Sequence, residues 1–203
     1  MANRIILPHG NYRQLKSFQT TTIIYDFTMA FCNQYRSLLT YKNYEQMIGA
    51  ARSGKQNIAE GSQVSGTSKK TEIKLTSVAR GSLEELLQDC LDFLRQNNLV
   101  LWDKNDPRAI TIRKIAYKPD RSYESYKSYL KDPESAINCL ICLIHQANFL
   151  LDRQLEALEK DFLENGGFTE RLYRERSKAR KRQKDGTNRT NKTNEAGIKQ
   201  HSR

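Results

Sequence analysis

The sequence predicts an all-α fold: an up-and-down four-helix bundle with a helical insert and a disordered basic C-terminal tail. Three observations carry this. Long segments repeat apolar residues at the spacing of an amphipathic helix, and no segment reads as a convincing strand. The stretch after Gly167 holds almost no large apolar residue beyond Tyr173. The boundaries that follow are residues 1–167 for the bundle domain, with the insert at about 99–131, and residues 168–203 for the tail.

After the turn LPHG (7–10), a first helix runs from about Tyr12 to about Leu39. Leu15, Phe18, Tyr25, Met29 and Cys32 form one stripe, with Ile24, Phe27, Phe31, Tyr35 and Leu38 beside it. The combined face is wider than one bundle seam requires, which points to self-association. After Thr40–Asn43, a second helix carries Met47, Ala51, Gly54 and Ile58 on one side, and Gly61 with QVSGTS ends it. A third spans about Ser68 to Asn98 with Thr67 or Ser68 as N-cap. Its buried stripe is Ile73, Thr76, Leu83, Leu87, Cys90 and Leu94. Asp106-Pro107 starts a short helix within the insert. Asp132-Pro133 starts the last long one, with Ile137, Leu140, Ile141, Ile144, Leu151, Leu155, Leu158 and Phe162 inward and Gly166-Gly167 as its stop.

GAARSGKQ (49–56) contains G-x-x-x-x-G-K, the opening of a phosphate-binding loop. The position that should be Ser or Thr is Gln56, and no strand precedes it. The segment reads as helix, its small residues letting two helices approach closely.

The chain has 203 residues and a formal charge of +11, with a low mean hydropathy of −0.76. From Phe168 onward, twelve Lys or Arg stand against four Asp or Glu, a net +8, leaving +3 for the remainder. No leader is evident in the first residues, and no apolar stretch approaches the ~18 residues of a membrane span. Cys32, Cys90, Cys139 and Cys142 lie scattered within apolar periodic segments, as reduced core thiols of a cytoplasmic protein do.

No catalytic set emerges, and no cofactor or metal is implied. Cys139, Cys142 and His145 suggest zinc, but residues i and i+6 are ~600° of helical rotation apart, and no second pair completes a tetrahedron. Arg52, Lys55, Lys69, Lys70 and Lys74 surround the junction of the second and third helices, either as a solvated face or as a phosphate-contacting patch. In the tail, Arg171, Arg174, Arg176, Lys178, Arg180, Lys181 and Arg182 should attract RNA or DNA by charge, with little sequence recognition. In the insert, Tyr117, Tyr123, Tyr126 and Tyr129 alternate with Lys118, Arg121, Lys127 and Lys131. They read either as base-stacking residues or as an amphipathic helix covering the bundle with hydroxyls at the solvent edge.

ARSGKQNIAEGS (51–62), then Ser68, Lys69 and Glu72, then VARGSLEELLQDCLDFL (78–94) resembles a known bacterial family. These are the four-helix-bundle proteins encoded in intervening sequences of large-subunit ribosomal RNA genes, and the accessory variability determinants of diversity-generating retroelements. The likeness covers roughly residues 7–100, and the last bundle helix by pattern only. The long insert and basic tail look most like the suffix-domain type. The resemblance implies homo-oligomerisation into a pentameric barrel and a basic surface associated with RNA or a reverse transcriptase. Asn57, Glu60, Arg80 and Glu84 are the polar residues of its two blocks. They read as a structural hydrogen-bond network, with Glu60 and Arg80 as a pair. The leading expectation is therefore a non-enzymatic, oligomeric nucleic-acid binder. The alternative is a structural protein–protein interaction module without specific nucleic-acid binding.

Overall fold

The computed structural model describes residues 5, 6 and 8–198, with side chains as far as Gln183. Leu7 of the opening turn, and 199–203 with His201 at the end of the expected tail, lie outside the described residues. The elements are α1 (Lys16–Gln34), α2 (Tyr41–Val64), α3 (Lys69–Gln96), α4 (Pro107–Ile115), α5 (Pro133–Asn165) and α6 (Phe168–Ile198), with short 3-10 turns and no strand among the described residues. The protein is all-α. α1 packs on α2 and α5, and α3 packs on the same two, so the long helices close a ring around one core.

Local chemistry sets most of the ends. Thr40 caps α2 by accepting from the Asn43 amide at 3.1 Å, and Ser68 caps α3 through the Thr71 amide at 3.2 Å. Asp106 and Asp132 cap α4 and α5, each followed by proline at the first helical position, where its missing N–H costs nothing. Gly166 ends α5 with φ +69°, a left-handed conformation that glycine adopts without strain.

Two boundaries differ from the sequence reading. The single first helix is three pieces: a 3-10 turn at Tyr12–Gln14, α1, and another at Arg36–Leu38, with Leu15 extended at ψ 125°. Gly61 does not end α2. It lies inside the helix because it is a contact point, where a Cβ would stand 3.3 Å from the Glu72 carbonyl oxygen.

Much of the wide apolar face of α1 is covered within the chain. Ile23, Ile24, Phe27, Phe31 and Cys32 are buried, and Phe31 meets Phe93 edge-on at 5.2 Å. The insert contributes to the cover: Tyr123 packs on Phe27, and the Tyr35 hydroxyl donates to the Leu130 carbonyl at 2.6 Å. Leu15, Phe18, Tyr25, Met29 and Tyr35 of that face stay half-buried, and Leu38 is 45% exposed. Thr20, Thr21 and Thr28, also buried, donate their hydroxyls to the carbonyls of Lys16, Ser17 and Ile24, so no polar cost remains there.

The insert is pinned at its start. Asn138 of α5 accepts from the Trp102 amide at 2.8 Å and donates to the Val100 carbonyl at 2.9 Å. Glu134, one turn earlier, accepts from the Val100 amide at 3.1 Å and from the Trp102 indole N–H at 3.0 Å. The tyrosine series is not an α-helix but two 3-10 turns, Tyr123–Ser125 and Lys127–Lys131, whose three-residue period matches the tyrosine spacing. Tyr126 is fully buried rather than at the solvent edge.

α5 is apolar enough in one window to cross a membrane by length and composition, contrary to the sequence reading; 67% of that window is buried within the fold. The stretch expected as a disordered tail is described as helix from Phe168 to Ile198. Residues 170–183 are mostly Glu, Arg, Lys, Ala, Leu and Gln, all strong helix formers, and Lys178 pairs with Glu175 at 2.9 Å.

Candidate nucleic-acid interface

The two polar blocks meet along the α2–α3 contact. Ala51, Gly54, Ile58 and Gly61 face Leu75, Ala79 and Leu83, and a Cβ at Gly54 would fall 2.8 Å from Leu83 Cδ2. The G-x-x-x-x-G-K match is thus the middle of a helix. Gly54 is there for close approach, while Gly49 is exposed with nothing within 4 Å of its absent Cβ.

The four polar residues of the blocks do not form one network. Asn57 donates to the Ser53 carbonyl and hydroxyl, and the Ser82 hydroxyl reaches Ser53 Oγ at 3.1 Å, which links α2 to α3. Arg80 pairs with Glu84 at 3.0 Å and with Asp152 of α5 at 3.2 Å. The expected Glu60–Arg80 pair is absent, because Glu60 points to solvent from α2 while Arg80 turns toward α5. The Arg80 hydrogen bond, aided by Gln88, lowers the Glu84 pKa. These half-exposed pairs set register more than stability, since surface ion pairs contribute about 0–1 kcal/mol.

The five body cations are likewise divided. Arg52 and Lys55 sit a turn apart on α2, and Lys55 lies over the Tyr25 ring at 4.2 Å. Lys69, Lys70 and Lys74 sit at the start of α3. The Gly54–Leu83 and Gly61–Glu72 contacts fix the antiparallel register, so Arg52 lies level with the Leu83 region and roughly 13 Å along the axis from Lys74. Lys69 is engaged with Glu72 and Asp161, both at 3.2 Å. Burial works against its charge, but these two carboxylates outweigh it and its pKa is raised. Burial pushes the Glu72 carboxyl up in spite of Lys69. Arg52, Lys70 and Lys74 stay exposed.

Arg171 explains how the tail joins this surface. Its guanidinium donates to the Ile5 carbonyl at 3.0 Å and to the Gly66 carbonyl at 3.3 Å. Gly66 belongs to the α2–α3 turn, so the first turn of α6 is tied to the segment that leads into α3. Arg171 is therefore an anchor, and Arg174 reaches the Asn165 carbonyl at 3.4 Å. Arg176, Lys178, Arg180, Lys181 and Arg182 are exposed on α6.

Sequence reasoning missed a cleft of about 560 Å³ where α1, α5 and the end of α4 meet. Lys16, Arg113, Lys118 and Arg121 line it together with Tyr117 and Phe149. The signal was present in part, since Tyr117, Lys118 and Arg121 stand in the basic-aromatic run, but Lys16 and Phe149 come from distant helices. Cys142 and His145 also border it, whereas Cys139 is core. Among the described residues no His, Cys, Asp and Glu grouping could hold a metal. Burial raises the pKa of all four thiols, Cys32 to about 12, which disfavours the reactive thiolate at neutral pH. The chain matches no protein-family model, no curated protein and no solved structure.

Proposed function

We propose that this chain is a non-enzymatic, cytoplasmic nucleic-acid-binding protein built on an up-and-down four-helix bundle. The observation that carries this reading is the rooting of α6 at the α2–α3 turn, through Arg171 and the Gly66 carbonyl. It ties the helix bearing the excess charge to the turn that leads into α3, whose first turns carry the exposed Lys70 and Lys74. A line of cations neutralises successive phosphates and releases their counterions. α6 has no ring of helices to pack into, and a lone helix is marginal in water; its distal part is read as disordered until a polyanion orders it. The resemblance of the NIAEG and ARGSLEEL blocks supports two further elements: assembly into a homo-oligomer, a pentamer in that family, and an RNA or a reverse transcriptase as partner.

The test is RNA affinity against salt for the full chain and for a variant with Arg174, Arg176, Lys178, Arg180, Lys181 and Arg182 changed to Gln. Each neutralised phosphate contributes roughly 0.7 to the log–log slope on single strands. The variant is expected to flatten that slope by up to about 4 and to weaken binding to all sequences alike. Wild type without salt-dependent RNA binding, or a variant that behaves as wild type, overturns the proposal. Light scattering of the same samples should give several times the 23.6 kDa chain mass; a monomer removes the oligomeric part.

A further inference from the structure

The cleft under the insert has a composition that the bundle does not require. Its cations come from three places: Lys16 from the start of α1, Arg113 from α4, and Lys118 and Arg121 from the turn that follows. The two guanidiniums are held on neutral acceptors. Arg121 donates to Thr20 Oγ1 at 2.8 Å and to the Ala116 carbonyl, and Arg113 donates to the Lys104 carbonyl. Such bonds orient a guanidinium without cancelling its charge. None of the four forms a salt bridge among the described residues, and no carboxylate lines the cleft. Asp120 stands in the smaller adjoining hollow with Lys16, Lys118 and Arg121, so the local balance stays positive. Unneutralised like charges around one concavity repel each other until an anion enters.

The other half of the lining is aromatic and open. Phe149 is 65% exposed and Tyr117 89% exposed, and Phe149 is so although Ala147 and Asn148 before it are buried. The lining also holds an unsatisfied donor, as Gln146 Nε2 is buried without a hydrogen-bond partner. Leaving such a group unpaired costs free energy, and an acceptor on a ligand would recover it. Fixed cations, exposed rings and a spare amide donor match a molecule that joins phosphate to a flat heteroaromatic ring. The volume lies within the range of small-ligand sites.

We propose that this cleft binds one unpaired nucleotide, its phosphate on Lys16, Lys118 and the guanidiniums and its base against Phe149 and Tyr117. As a constituent of a bound strand, this ligand rests on the nucleic-acid reading above and adds a preference that the tail helix alone cannot supply. A base within a duplex is stacked and paired, so only a single strand can present one.

The test measures full-length protein binding to a labelled single-stranded octanucleotide, to the same length of duplex, and to AMP and UMP. The proteins are wild type, Phe149→Ala, Phe149→Trp and Lys118→Gln, each checked for helicity by circular dichroism. Wild type should favour the single strand over the duplex. Phe149→Ala should weaken the single strand roughly 5- to 150-fold, the range of one lost stacking contact, and leave the duplex unchanged; Phe149→Trp should restore it. Saturable AMP or UMP binding lost in Phe149→Ala identifies a free nucleotide as ligand, and loss on the octanucleotide alone identifies a strand. If Phe149→Ala and Lys118→Gln alter single strand and duplex equally, or neither, the cleft is not a nucleotide site. That result leaves the salt dependence of the tail helix standing, whereas absence of all salt-dependent binding removes the strand reading and leaves the mononucleotide arm to decide the cleft.

Discussion

Replacing Trp102 with alanine is expected to destabilise the fold by about 3–5 kcal/mol, the range for a buried aromatic truncated to alanine. Trp102 is 7% exposed and belongs to the core. Its indole N–H is bonded to Glu134, and the Arg108 guanidinium lies 4.0 Å from the ring centroid. Truncation leaves a space in the core, removes a donor from a partly buried carboxylate and frees Arg108 from its platform. The damage should be centred on α4, because the clamp of Trp102 on Glu134 and Asn138 joins the insert to α5. Urea denaturation measures the total, and hydrogen exchange over 107–115 shows where it falls. Since Arg113, Tyr117 and Lys118 hang from α4, the single-strand preference should decline as well. Trp102→Phe keeps most of the packing and should cost distinctly less. A Trp102→Ala loss below about 1 kcal/mol, or exchange unchanged in α4, would rule out the clamp.

Two glycines from the same heptapeptide are expected to answer substitution with opposite signs. At Gly54 a Cβ falls 2.8 Å from Leu83 Cδ2 and 3.1 Å from its Cγ. Gly54→Val adds two further carbons at that contact and should cost about 1–3 kcal/mol through overpacking. Gly49 has nothing within 4 Å, so Gly49→Ala exchanges a poor helix former for the best one and should gain about 0.5–1 kcal/mol. Thermal or urea unfolding of the two variants is sufficient. Equal effects would mean that the α2–α3 contact is looser than described.

Helix type and placement were legible because the reasons are local. Ser68, Asp106 and Asp132 are capping residues whose function needs only the next three amides, and Gly166 stops α5 through its own φ. The same locality settles the phosphate-loop question, since Gln56 and the helical spacing around it are both visible in the chain. The small residues of Gly49–Gln56 were also legible as packing residues, and of the two glycines Gly54 forms the close contact while Gly49 does not.

The failures have a common origin in longer-range packing. Gly61 looked like a stop because an isolated glycine weakens a helix, yet the gain from close approach to Glu72 and Leu75 outweighs its propensity. Arg80 was matched with Glu60, the acid of the other block. Only the relative rotation of three helices turns it toward Asp152. The insert, far away in sequence, was not seen as a cover for α1, yet Tyr123 and Leu130 reach Phe27 and Tyr35.

For this protein, the sequence by itself determined the all-helical class, the caps that divide it into helices and the concentration of charge after Gly167. Each depends on interactions within a few residues or on composition. Tertiary structure alone decided which cations share a surface, that Arg171 anchors rather than probes, and that Lys16 and Phe149 meet Arg121 in one cleft. Those are statements about side chains far apart in the chain, and their proximity depends on how rigid helices pack and turn about their axes.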